Sequence, residues 1–266
     1  MVKKLILIFA AGGLTLHLLP LNLSGEETAA SGTARETEMS VGVPVPSVYS
    51  GVVEGNLSLA DRAGKDEIVW LSDWSGEGKS LAPDGWEMDV KKKPIEMDLS
   101  GGGENSILRL RTRSSAFGIY RGQEIKIREY PFLNWEWKVT ELPEGGSFLN
   151  KNTDDQAAQI YVSFGSLSFF NKPFVKAVGY YWSSTVPVGI EGECPTWGKS
   201  RVVVLRSGPE ELGEWQREKR NLTEDYRRLF GDEAPSAASA LRLYTNSQHT
   251  GSGTEVFFRN IYFSRE

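Results

Sequence analysis

From Ile68 to Phe263 the apolar residues of this chain recur at every second position, and that period leaves little choice of fold. Leu133, Trp135, Trp137 and Val139 share one parity, with Asn134, Glu136 and Lys138 on the other. Ala158, Ile160, Val162 and Phe164 repeat the pattern. Val178, Tyr180 and Trp182 follow, then Val202 and Val204, Leu241 and Leu243, and a last stretch from Glu255 to Phe263. Successive side chains of a strand point to opposite faces, so this alternation marks strands with one buried face. The 28 glycines and 12 prolines supply turns between them. The expected fold is all-β, a single jelly-roll-like β-sandwich with one short helical segment near residues 210–230. For that segment, Pro209-Glu210-Glu211 suits a helix start and Thr223 before Glu224 and Asp225 suits a second. Gly231 is a natural stop. One hairpin register can be argued: Leu99 opposite Ser106 puts both apolar sets on one face and Glu96 opposite Arg109.

The N-terminal quarter reads differently. Lys3 and Lys4 precede a mostly apolar run from Leu5 to Leu23, and polar residues follow. This is the order of a secretory signal over residues 1–25, with an uncleaved membrane anchor as the alternative. Residues 26–47, rich in Ser, Gly, Thr, Ala and Glu, read as a disordered tether. The sandwich domain is expected over 48–266, with a short helical turn at 56–63. The chain is therefore expected to be periplasmic or secreted, without membrane insertion once the signal is cleaved.

Charge and rare residues exclude several functions. Thirty Lys and Arg against 35 Asp and Glu give a net charge of −5, which disfavours a nucleic-acid partner held by charge. The single cysteine, Cys194, rules out an intrachain disulfide. The two histidines are His17, inside the signal, and His249, so a site with two histidine ligands is excluded. No nucleophile-elbow sequence accompanies His249, and Gly101-Gly102-Gly103 joins strands rather than preceding a helix.

Several segments together resemble a known family. They are Ser114-Ser115-Ala116-Phe117-Gly118-Ile119-Tyr120-Arg121, the run from Tyr130 through Trp135-Glu136-Trp137, and Asp154-Asp155 with the strand to Phe164. Tyr180-Tyr181-Trp182-Ser183 and the stretch from Arg220 to Gly231 complete the series. Over roughly residues 70–264 the chain resembles the bacterial family called domain of unknown function 3047. The resemblance implies a sandwich similar to galactose-binding and carbohydrate-binding modules, by analogy of fold, and it implies no activity. The family commonly carries Asp-x-Asp-Asn-Thr near its end. Here those positions read Asn246-Ser247-Gln248-His249-Thr250, with amides in place of two carboxylates, which argues against a cation or acid–base role for that segment.

The candidate ligand-binding residues are Trp197, Tyr181, Arg121, Asp154, Asp155, Asn246 and His249. Trp197 lies in a loop without strand period and is the candidate sugar platform; the alternative is an aromatic plug at the sandwich end. Asp154 and Asp155 invite a sugar hydroxyl or a structural calcium. Their structural alternative is a turn accepting backbone N–H groups, or an ion pair with Arg121 or Arg220. His249 is either an exposed loop residue or a ligand contact. Arg109, Arg111 and Arg113 line one strand face, read as a solvated stripe balanced by Glu96 and Asp98. Trp135, Trp137 and Trp182 are expected in the core. No cofactor is expected apart from that calcium, and the expected partner is a glycan. Three functions compete: an exported carbohydrate-binding module, a polysaccharide-acting enzyme using a carboxylate pair, and an envelope interaction protein.

Overall fold

The computed structural model describes residues 68–74, 82–165 and 175–266. The expected signal, tether and 56–63 turn lie outside them. The strands are β1 (Ile68–Trp70), β2 (Glu87–Lys92), β3 (Glu96–Ser100), β4 (Ile107–Arg113), β5 (Ala116–Ile125), β6 (Phe132–Glu141), β7 (Ala158–Phe164), β8 (Lys176–Ser183), β9 (Glu191–Glu193), β10 (Ser200–Ser207), β11 (Gln216–Asn221), β12 (Ala238–Asn246) and β13 (Gly253–Ser264). One α-helix among the described residues, α1 (Leu222–Phe230), follows β11.

These strands form two sheets. A six-stranded sheet runs β11-β6-β13-β4-β3, with β1 also paired to β13. A seven-stranded sheet runs β2-β5-β12-β7-β8-β10-β9. From β4 to β7, and again from β11 to β13, each strand passes to the opposite sheet from the one before it, the jelly-roll habit. The pairs are antiparallel except β8 with β10. The alternating apolar sets meet between the sheets: Leu108 and Leu110, Leu133 to Val139, Ile160 and Val162, and Leu241 and Leu243 are all buried. Trp135 packs 5.4 Å from Trp137 and 5.2 Å from Tyr180, and Trp137 packs 6.0 Å from Trp182. The first and third pairs are edge-on and the second is tilted; such pairs add roughly 1 kcal/mol each beyond the area they bury.

Two local expectations need correction. The hairpin pairs Leu99 with Leu108 and Asp98 with Arg109, two residues from the expected register. Ser106 is withdrawn from the ladder because its N–H and hydroxyl both donate to Gly103 O, closing a 3₁₀ turn. A shift of two keeps every side chain on its face. The helix is also shorter than the 209–230 stretch. Residues 209–214 form turns, and β11 takes 216–221 because the edge of β6 satisfies its backbone. The cap is Asn221 rather than Thr223: its side chain accepts the N–H of Thr223 and Glu224, each at 3.2 Å. Gly231 ends the helix at φ 71°, a left-handed conformation, and its N–H returns to Arg227 O.

Candidate functional site

The outer face of the seven-stranded sheet follows from strand parity. Where Leu241, Leu243, Ile160 and Val162 point into the core, Ala240, Arg242, Tyr244 and Asn246 of β12 and Gln159, Tyr161 and Ser163 of β7 point out. The register aligns them in rows across the sheet. Glu87, Tyr120, Arg242 and Tyr161 form one row; Asp89, Gly118, Tyr244 and Gln159 form the next.

Half of this face is roofed. Phe148, Val186 and Cys194, from connecting segments, cover Tyr161, Ala177, Tyr181, Val202 and Val204 in a second apolar cluster. Gly179 permits this, since a Cβ there would stand 2.9 Å from the Tyr161 ring and 2.7 Å from Val202. The other half, over β5, β12 and β7, remains a groove of about 870 Å³. Its walls are the edge strand β2, from Glu87 to Lys91, and the segment carrying Asp154, Thr196 and Trp197. Gly122 also lines it, and a Cβ at Gly122 would meet nothing within 4 Å.

Trp197 lies in the turn between β9 and β10, held by Trp197 N–H to Cys194 O at 3.3 Å and Ser200 N–H to Trp197 O at 2.8 Å. Half-buried, it tilts against Tyr161 at a 5.3 Å centroid distance and forms the groove's rim. Arg242 is the central floor residue. Its guanidinium carbon stands 3.7 Å from the Tyr244 ring centroid, 5.4 Å from Tyr161 and 5.6 Å from Trp197. Asp89 Oδ2 is 2.6 Å from Arg242 Nε, yet the N–H is not aimed at it: the contact is an ion pair without a hydrogen bond. Burial opposes the Arg242 charge, but Asp89 and the neighbouring phenols hold its pKa above the ordinary value. Tyr244 Oη is buried without a hydrogen-bond partner, and burial pushes that phenol up to about 12.

Asp154 sits in a tight turn at φ −70° and ψ 65°, closed by Asp155 N–H to Thr153 O, and the two aspartates point to different places. Asp154 faces the groove and accepts from Thr196 Oγ1 at 2.9 Å; burial raises its carboxyl above the ordinary range. Asp155 is fully buried. It accepts from His249 N at 2.9 Å, Thr250 N at 2.6 Å and Asn246 Nδ2 at 2.8 Å. His249 Nδ1 stands 3.0 Å from Asp154 O and 3.2 Å from Asp155 Oδ1. Neither aspartate pairs with Arg121 or Arg220; Arg220 instead binds Asp225 at 2.6 and 2.9 Å. N–H donors around Asp155 are poor company for calcium, and among the described residues no group of three or more His, Cys, Asp or Glu stands together as a metal site.

From Asp155 a buried polar chain runs beneath the groove. Asn246 Oδ1 accepts from Gln159 Nε2 at 2.6 Å, Gln159 Oε1 accepts from Tyr161 Oη at 3.0 Å, and Tyr161 Oη meets Tyr181 Oη. Of the candidate residues, Trp197, Asp154 and Asn246 line the groove. Tyr181, Asp155 and His249 sit behind it as its support. Arg121 registers with core-facing Leu241 and does not line it. Arg242, Tyr244, Gln159, Tyr161, Glu87 and Asp89 are the groove residues the sequence reading passed over. For the residues of β7 and β12 the signal is the complementary parity of strands the sequence marks; Glu87 and Asp89 lie on β2, which it does not mark.

The sequence model described as a protein of unknown function, DUF3047, matches residues 84–262. No curated protein matches the chain. Among solved structures, a family 11 carbohydrate-binding module from Clostridium thermocellum, in complex with a β-1,3-1,4-mixed-linked tetrasaccharide, is similar at TM-score 0.39 and 10% identity, over 74% of this chain and 95% of that one. The xyloglucanase domain of a type three effector from Sinorhizobium fredii is similar at TM-score 0.39 and 14% identity, over 69% and 95%. A family 11 xylanase from Neocallimastix patriciarum is similar at TM-score 0.36 and 10% identity, over 69% and 93%. Likeness at this level defines neither the strand order nor the ligand of the present chain.

Proposed function

This chain belongs to the DUF3047 family, and from that premise we propose that it is an exported binding module whose groove holds a carbohydrate. One observation carries the reading: the aromatic residues Tyr161, Trp197 and Tyr244 line the same groove as the polar Gln159, Asn246, Ser163 and Arg242, with Trp197 half-buried at its rim. A sugar ring has apolar C–H faces and a polar rim, and it needs both kinds of contact at once. A volume near 870 Å³ is of the size that ordinarily encloses a small ligand. The network from Asp155 to Tyr181 fixes the floor beforehand, which lowers the ordering cost of binding. The signal expected over residues 1–25 would deliver the groove to envelope or external glycans.

The test is a glycan array followed by calorimetry. A hit is expected at millimolar affinity or better, and Trp197→Ala should raise its Kd at least tenfold with little change in Tm. An array without hits, or a Trp197→Ala variant binding as wild type, overturns the reading.

A second reading has its own observation. The Asp154 carboxyl faces the groove with a raised pKa, as a general acid does, while Glu87 and Asp89 lie on the opposite wall. Release of reducing ends from a polysaccharide, abolished in Asp154→Asn, would favour an enzyme. Binding without product favours the module.

A further inference from the structure

The hydrogen-bonding groups of the groove divide into those engaged by the protein and those left open, and its cationic donors are among the open ones. Every carboxylate lining it has a partner: Glu87 accepts from Tyr120, Asp89 is ion-paired with Arg242, and Asp154 accepts from Thr196. The neutral donors of Tyr120, Thr196, Gln159 and Tyr161 are engaged too, but the cationic ones are not saturated. Arg242 meets Asp89 only on its Nε side, and no described residue hydrogen-bonds Nη1 or Nη2. Lys91, exposed on edge strand β2, has no ion pair among the described residues, and Trp197 Nε1 has no hydrogen-bond partner there. Two cationic groups with donors to spare are completed by an acceptor, best one that carries negative charge.

The geometry of Arg242 narrows the choice. Its guanidinium carbon lies 3.7 Å over the Tyr244 ring, which holds the group in place, and Arg242 lines the groove with Nη1 and Nη2 not hydrogen-bonded by any described residue. A fixed guanidinium edge matches the two oxygens of a carboxylate far better than it matches a single hydroxyl. Resting on the carbohydrate reading above, the geometry points to a ligand carrying a carboxylate, a uronate-containing glycan seated with its acid group on Arg242 and steered by Lys91. The half-buried ring of Trp197 at the rim, backed by Tyr161 at 5.3 Å, takes the apolar face of the sugar beside it.

The experiment compares tetrasaccharides of galacturonate, mannuronate, guluronate and glucuronate, each beside its carboxyl-reduced neutral counterpart, by calorimetry at low and high salt. At least one acidic member should bind ten times or more tighter than its reduced form, and that margin should shrink with salt. Lys91→Glu, on an exposed edge strand, should weaken the acidic ligand about tenfold and the reduced one by much less. Arg242→Gln should erase the preference; Arg242→Lys, which keeps the charge and loses the fork, should retain part of it. If Arg242→Gln fails to fold, Lys91→Glu decides. Equal binding of the acidic and reduced forms, or a preference unmoved by Lys91→Glu, overturns this inference and leaves the carbohydrate reading standing. If no member of either set binds and the array is also empty, both fall.

Discussion

The outer faces of the two sheets are built from the same residue types and use them in opposite ways. On the six-stranded sheet the charges close on one another. Arg109 binds Asp98 at 2.5 Å and Glu255 at 2.6 Å, Arg111 stands 3.7 Å from Glu96, and Arg113 binds Glu141. Buried Glu136 is shared by Arg217 at 2.9 Å and Arg259 at 2.7 Å. Lys138 and Arg259 lie against the Trp215 ring at 5.2 and 4.0 Å. The arginine stripe, expected to be balanced by Glu96 and Asp98, is thus a self-neutralised lattice. On the seven-stranded sheet the central arginine keeps its fork open and a tyrosine hydroxyl stays buried without a partner. A closed lattice holds a surface together; a partly open set of groups leaves work for a ligand.

That contrast can be broken by substitution. The largest effect is expected at Asp155→Ala, which strips the acceptor from two backbone N–H groups and Asn246 in a fully buried place. It should cost about 3–5 kcal/mol in chemical denaturation. A loss below ~1 kcal/mol would mean that the groove is not braced from behind. Next is Glu136→Gln, expected to cost about 2 kcal/mol and to leave glycan binding untouched. Glu136 also gives the comparison a pH signature. Burial opposes its charge, but hydrogen bonds from Arg217, Arg259 and Asn260 win and hold its pKa below the ordinary value. Its contribution is therefore present above the unfolded-state pKa and lost as pH falls through the depressed folded one. Asp154 has the opposite sign: its folded pKa is raised, so its ionisation costs stability above that value and the cost vanishes below the unfolded one. Melting curves should accordingly show less acid loss in Glu136→Gln and more in Asp154→Asn than in wild type. The smallest effect is expected at Arg109→Ala, within ~1 kcal/mol, since its side chain is 28% exposed and its partners are at the surface. A marked loss of glycan affinity there would move the site to the wrong sheet.

Much of the scaffold was legible in the sequence because a period of two is enforced by burial. Trp135, Trp137 and Trp182 could not share a parity with Leu133, Val139 and Val178 unless that face were inside. The helix was legible only in its last half, because turn and helix-start signals at Pro209 look alike, while the pairing of residues 216–221 with β6 is a long-range fact. For the site, Trp197 and Asp154 stood out as loop residues without a period. Arg242 and Tyr244 did not, since outward positions on a strand read as solvent until another segment is known to wall them in. Tyr181 was misleading for the opposite reason: it is outward on β8, yet connecting segments roof that half of the sheet.

One small feature of the floor has a practical use. Gly122 opens on free space, and the chain's single native thiol, Cys194, is buried at 2% exposure. Gly122→Cys would therefore offer a lone reactive handle, through which a fluorescent reporter could be attached at the heart of the cleft to signal whatever enters it.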